Sequence, residues 1–227
     1  MSNNEQVTPD TVKAVRLALS SARMGTYEVA AGLQAGSMNG SAALALYSWN
    51  AKVSSALLAP LHICEVVVRN TVSDALEAVY GDRWPWSPTF QRSLPNPAKG
   101  YNPRLDLQGA CRSAQTTGEV IPELKFVFWQ KMFTSRYDVR IWNTHLLRVM
   151  PNLDSTKNVA VLRGVIQQDL ESLRRLRNRI AHHEPVFTRN LSGDYQKIYS
   201  LVACRCLVTA KWLSINQQAT EVILEKP

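Results

Sequence analysis

The chain has 227 residues, 45% of them hydrophobic, enough to bury a core, and residues 1–227 read as a single domain. With 26 Lys and Arg against 18 Asp and Glu, its formal charge is +8, which points to a polyanionic partner, nucleic acid or an anionic membrane surface. The most apolar run, residues 56–68, is interrupted by Pro60, His62 and Glu65 and falls short of the roughly 20 apolar residues of a membrane span; residues 1–10 lack the basic and apolar regions of a secretory signal, so a cytoplasmic protein without membrane contact is expected.

Helix signals follow one another along the chain. Thr8 as N-cap, Pro9 at the first helical position and Asp10 in the first turn open a helix predicted to run to about Met24. A second starts near Ser41 and continues, bent at Pro60, to Tyr80, where Gly81 stops it. Residues 81–103, rich in proline, form a loop excursion. Shorter helices are expected over residues 105–116, 122–134 and 138–149. Asp154 or Ser155 caps a long helix that ends at His183, because Pro185 restricts Glu184, and a last helix spans residues 193–216. No strand-like alternation or internal repeat is present, so the fold class is all-α, a helical bundle with a proline-rich loop. Cys64, Cys111, Cys204 and Cys206 lack paired metal spacing and read as small core residues in a reducing compartment.

The long helix carries the chemistry. At about 100° per residue, Leu162, Ile166, Leu173, Leu176 and Ile180 fall on one core face. Asn178 and His182 lie about 160° from Ile180, nearly opposite that face, and Arg177 lies about 140° from His182. An undistorted helix therefore does not aim Arg177 and His182 at one atom: either the helix loosens before His182 or a site combines two chains. His183, about 60° from Ile180, reads as a core-edge histidine hydrogen-bonded to a neighbour, with phosphate binding as its functional alternative.

Residues 163–189 hold Arg163, Arg174, Arg175, Arg177, Arg179 and Arg189 against Asp169, Glu171 and Glu184. Such a run is usually a solvated helix face, yet arginine suits two-point binding of phosphate, and the excess of cations leaves charge for a ligand. Crowded cations favour the neutral form of a nearby imidazole, ready to accept a proton near neutral pH. An arginine for a phosphate and a histidine for a hydroxyl proton are the parts of RNA cleavage without a metal or other cofactor. Adjacent His182, His183 and Glu184 do not present the i, i+4 ligand pair of a zinc hydrolase.

The run Arg177-Asn178-Arg179-Ile180-Ala181-His182 resembles the signature of the HEPN superfamily, an arginine, a polar residue, three others and a histidine near a helix end. "LYSWN" at residues 46–50, "LLAPLHICEVVVRN" at 57–70, "ELKFVFWQKMF" at 123–133 and "RNRIAHHEPVF" at 177–187 resemble, in order, the blocks of the Abi-like abortive-infection proteins within it. The resemblance covers roughly residues 10–215. It implies a HEPN-like bundle that dimerises through the signature helices and cleaves RNA in phage defence or a toxin-antitoxin system, with an antitoxin protein or regulatory RNA as a further partner. On it, Arg177, Asn178 and His182 are the catalytic candidates, and Arg174, Arg175, Arg179 and His183 bind RNA phosphate.

Glu65 and Arg69, one turn apart beside an apolar stripe, read either as an ion pair fixing bundle register or as support for the signature helix from behind. Asp169, near the Ile180 line, needs a cationic partner, and Arg69 is the expected one. Trp84, Trp86, Phe90 and Tyr101 could stack on bases, but aromatics pinned between prolines more often cap a core. The leading function is an endoribonuclease acting as a homodimer, with twelve arginines of two signature segments repelling one another across the interface. The alternative is a non-catalytic RNA- or antitoxin-binding module; an intramembrane protease is disfavoured by the lack of spans.

Overall fold

A computed structural model describes residues 7–36 and 40–227; most of the N-terminal stretch read for a leader lies outside them. Among the described residues all regular structure is helical. The first helix, α1 (Pro9–Leu19), opens as expected, with the Thr8 hydroxyl accepting from the Thr11 amide at 3.2 Å. It stops short of Met24, however. Ser20 takes φ 78°, ending α1, and its hydroxyl caps α2 (Ser21–Ala30) through the Arg23 amide. One residue thus serves as both C-cap and N-cap, which a helical periodicity continuing through it conceals.

The 40-residue α3 (Ser41–Tyr80) runs unbroken through Pro60. Its buried face, from Ala43 to Leu76, is the centre of the bundle. Gly81, at φ 84°, ends it. By length and composition α3 would also serve to cross a bilayer, a property that the interruptions at Pro60, His62 and Glu65 do not remove.

The proline-rich excursion is more ordered than a loop. It holds a 3₁₀ turn (Trp84–Trp86) and α4 (Pro88–Ser93), followed by α5 (Pro103–Ala110), α6 (Thr117–Glu123) and α7 (Phe126–Met132). Its aromatics cap the core. Trp84 and Phe90 are fully buried; the Trp84 ring meets Phe90 and Trp129 edge-on at 5.4 and 6.3 Å, and its N–H donates to the Ser73 hydroxyl at 3.1 Å. Half-buried Trp86 lies under the Arg83 guanidinium, and the Tyr101 hydroxyl donates to Asp106 at 2.7 Å.

A π-helical turn (Asp138–Trp142) leads into α8 (Asn143–Val149), and the signature helix is α9 (Val159–Ala181). Its cap is Asn158, whose side chain accepts from the Ala160 amide at 2.8 Å. Neither Asp154 nor Ser155 is the cap as expected; Asp154 instead closes a turn on Thr156, at 3.1 Å to its amide. The predicted last helix divides at extended Cys206 into α10 (Leu191–Arg205) and α11 (Leu207–Ile215), and α12 (Ala219–Leu224) follows. Helices α2, α7, α8, α9, α10 and α12 all pack on α3, and the buried apolar residues form one continuous core. Cys64 is buried and its thiol pushed up to about 12 by burial; the other three cysteines are half-buried.

Candidate functional site

The apolar stripe of α9 is buried as its periodicity requires, with Leu170 joining Leu162, Ile166, Leu173, Leu176 and Ile180. The helix stays regular to its end. The His182 amide still donates to the Asn178 carbonyl at 2.9 Å, the His183 amide to Ile180 at 3.0 Å and the Glu184 amide to Arg179 at 2.8 Å. The last two bonds, with His183 at φ 55°, make a Schellman turn in which histidine holds the place usual for glycine. Loosening of the helix before His182, one of the two expected ways to bring Arg177 and His182 together, is therefore not seen.

His182 and His183 are both exposed, which corrects the core-edge reading of His183. What is anchored at His183 is backbone: its carbonyl accepts from Arg23 at 2.7 Å. Three residues on, the amide of buried Val186 donates to the side-chain oxygen of buried Asn50 at 2.8 Å, and Phe187 packs edge-on against Tyr27. Contacts from α2 and α3 thus fix the chain on leaving the signature helix. Arg23 and Asn50 were not among the sequence candidates; an asparagine inside the apolar face of a long helix is the signal that marks Asn50.

The arginines are less free than their number suggests. Arg163 is paired with Asp138 in a two-point contact at 2.8 and 3.0 Å, Arg189 with Asp194 at 2.9 and 3.0 Å, and Arg179 with Glu184 at 3.5 Å. Arg174 and Arg175 share Glu171, whose carboxyl is held below the ordinary range first by the hydrogen bond from Arg174. Among the described residues Arg177 alone of the six has no carboxylate within 4.0 Å, and it is exposed. Arg174, Arg175 and Arg179 thus meet an RNA phosphate, if at all, as members of ion pairs.

Arg177 and Asn178 open onto a cleft of about 360 Å³, together with Arg174, Glu65 and Arg69. The facing wall is residues 122–127. The sequence predicts one helix there, but Leu124 and Lys125 are extended, at ψ 133° and 151°, between α6 and α7. That break forms the wall, and it brings Lys125 to the cleft. His182 does not line it.

The expected Arg69–Asp169 pair is absent. Arg69 donates instead to Glu65 on its own helix, and both residues line the cleft with Arg174, Arg177 and Asn178. Asp169 makes no ion pair among the described residues; burial raises its carboxyl above the ordinary range, with Lys197 opposing the shift. Among the described residues no three His, Cys, Asp or Glu side chains gather as a metal-holding group. Comparisons with family models, curated proteins and solved structures find no match for this chain.

Proposed function

We propose that the chain is an Abi-like protein of the HEPN superfamily and a metal-independent endoribonuclease of a phage-defence or toxin-antitoxin system. The observation that carries this reading is Arg177. It is the one arginine of its segment without a carboxylate partner among the described residues, and it lines, with Arg174, Arg69 and Lys125 against Glu65 and Glu123, a cleft where a phosphate would find a guanidinium not already neutralised.

In this mechanism Arg177 holds the phosphate and stabilises the charge that develops on it, while His182 accepts the proton of the ribose 2′-hydroxyl. The 2′-oxygen then attacks the phosphorus as the bond to the 5′-oxygen breaks; the leaving oxygen takes a proton from solvent water and His182 returns its own to solvent, giving a 2′,3′-cyclic phosphate and a 5′-hydroxyl. Asn178 orients the phosphate or the imidazole. Because His182 lies outside the cleft of its own chain and α9 does not loosen, Arg177 of one protomer works with His182 of its partner in a homodimer.

The test is cleavage of total RNA with the fragment ends mapped. Arg177→Ala and His182→Ala are each expected to lower cleavage by about a hundredfold or more with unchanged thermal unfolding, since both side chains are exposed. Cleavage that survives either change, or that is lost on chelation, overturns the mechanism. The position of His182 outside the cleft favours a second reading, a non-catalytic RNA- or antitoxin-binding module, which predicts RNA binding without cleavage.

A further inference from the structure

A second and larger hollow, about 680 Å³, lies between α7 and α9. Its lining includes Gln130, Lys131, Gln167, Glu171, Arg174 and Arg175. Arg174 also lines the cleft of Arg177, so the two hollows adjoin through one guanidinium. From Arg174 back to Gly164 the hollow follows α9 for about 15 Å.

Its charge is unbalanced. Arg163 and Arg189 also line it, but Asp138 and Asp194 hold each at two points. Of the remaining charges in the lining, three cations, Lys131, Arg174 and Arg175, stand against the single carboxylate of Glu171. Lys131 has no carboxylate within 4.0 Å among the described residues, and Arg175 is 69% exposed. A polyanion answers that surplus, its phosphates meeting the cations left over. Among the described residues no aromatic ring lines the hollow, so binding through the backbone rather than by stacking on bases is what it offers.

We infer that the hollow between α7 and α9 is the track for single-stranded RNA flanking the linkage held at Arg177, gripping it by its phosphates and with little regard to base. The inference rests on the ribonuclease reading and names how that site would hold a longer substrate.

The test uses the full chain and single-stranded 2′-O-methyl RNAs of about 4 and about 16 nucleotides, which cannot be cleaved at the 2′-position. Binding is measured by fluorescence anisotropy over a series of salt concentrations for the wild type and for the double variant Lys131→Gln, Arg175→Gln. Both positions are exposed, and retained thermal unfolding confirms that the variant folds. The longer RNA is expected to lose about tenfold more affinity than the shorter, and the salt slope for the longer RNA to fall by about 1.4, the value for two phosphate contacts on a single strand. Equal losses at both lengths, or an unchanged slope, overturn the track. If the wild type cleaves unmodified RNA while the double variant shows no length-dependent loss, the track fails and the ribonuclease reading stands. If the length-dependent loss appears but the wild type does not cleave, the track stands and the ribonuclease reading fails; absence of binding at either length overturns the track.

Discussion

At His183 the backbone enters the left-handed region, φ 55°, where a β-carbon crowds the following carbonyl. Glycine would relieve that crowding, less its own larger loss of chain entropy on folding. His183→Gly is therefore expected to stabilise the protein by about 0.5–1 kcal/mol in thermal or urea unfolding; a destabilised variant would mean that the imidazole makes an interaction outweighing the strain. Asp169 makes the opposite kind of demand. Its carboxyl is raised by burial, so the folded state binds that proton more tightly than the unfolded chain does. The stability it contributes is full below the ordinary carboxylate range and is lost as pH rises through the raised value. Asp169→Asn should accordingly raise the unfolding temperature at pH 7, with the gain shrinking to nothing in acid; a variant less stable at pH 7 would mean that the carboxylate has a stabilising role there. Periodicity placed Asp169 near the core face correctly but could not name its surroundings. A helical wheel gives direction within one helix, whereas the Glu65–Arg69 pair and the absence of an Asp169 pair depend on how two helices sit together.

The interruptions between helices decide where the candidate site lies. Boundaries set by local chemistry were legible: the Thr8 cap, the start of α3 near Ser41 and its stop at Gly81. Others were not: no side chain caps the helix that follows Cys206 or the Leu124–Lys125 link that walls the cleft, and at Ser20 one residue caps two helices in succession. The same division runs through the candidate residues. Arg177, Asn178, Arg174 and the Glu65–Arg69 pair do come to one cleft, whereas His182 stays outside and the anchors Arg23 and Asn50 lie far away in the chain. Removing one anchor tests how far the end of the signature helix depends on α3. Asn50→Ala leaves the buried Val186 amide without an acceptor and should cost about 1–3 kcal/mol, with faster hydrogen exchange over residues 182–187 than elsewhere. A loss spread evenly over the molecule would mean that Asn50 serves the core generally and not this turn.

For the whole molecule, pairing within each chain changes the electrostatics expected of a dimer. Twelve arginines suggested strong repulsion across the interface, but five of the six in each segment already face a carboxylate. Self-association should then depend only weakly on ionic strength, as sedimentation at low and moderate salt would reveal; a dimer that forms only in high salt would contradict this. Mixing inactive His182→Ala with inactive Arg177→Ala subunits should restore about a quarter of wild-type cleavage, because half of randomly formed dimers are mixed and each of these holds one intact pair of residues. No recovery, with mixed dimers demonstrated, would place Arg177 and His182 of the same chain in one site. The central position of α3 also bears on the making of the protein. Its partners α10 and α12, including the Val222 carbonyl that accepts from the Trp49 ring nitrogen at 2.7 Å, follow it by more than a hundred residues. At ordinary rates of translation the apolar helix leaves the ribosome roughly 10 s before they do. For that interval the nascent chain carries an apolar 40-residue segment without two of the helices that cover it, a stretch that chaperones can hold.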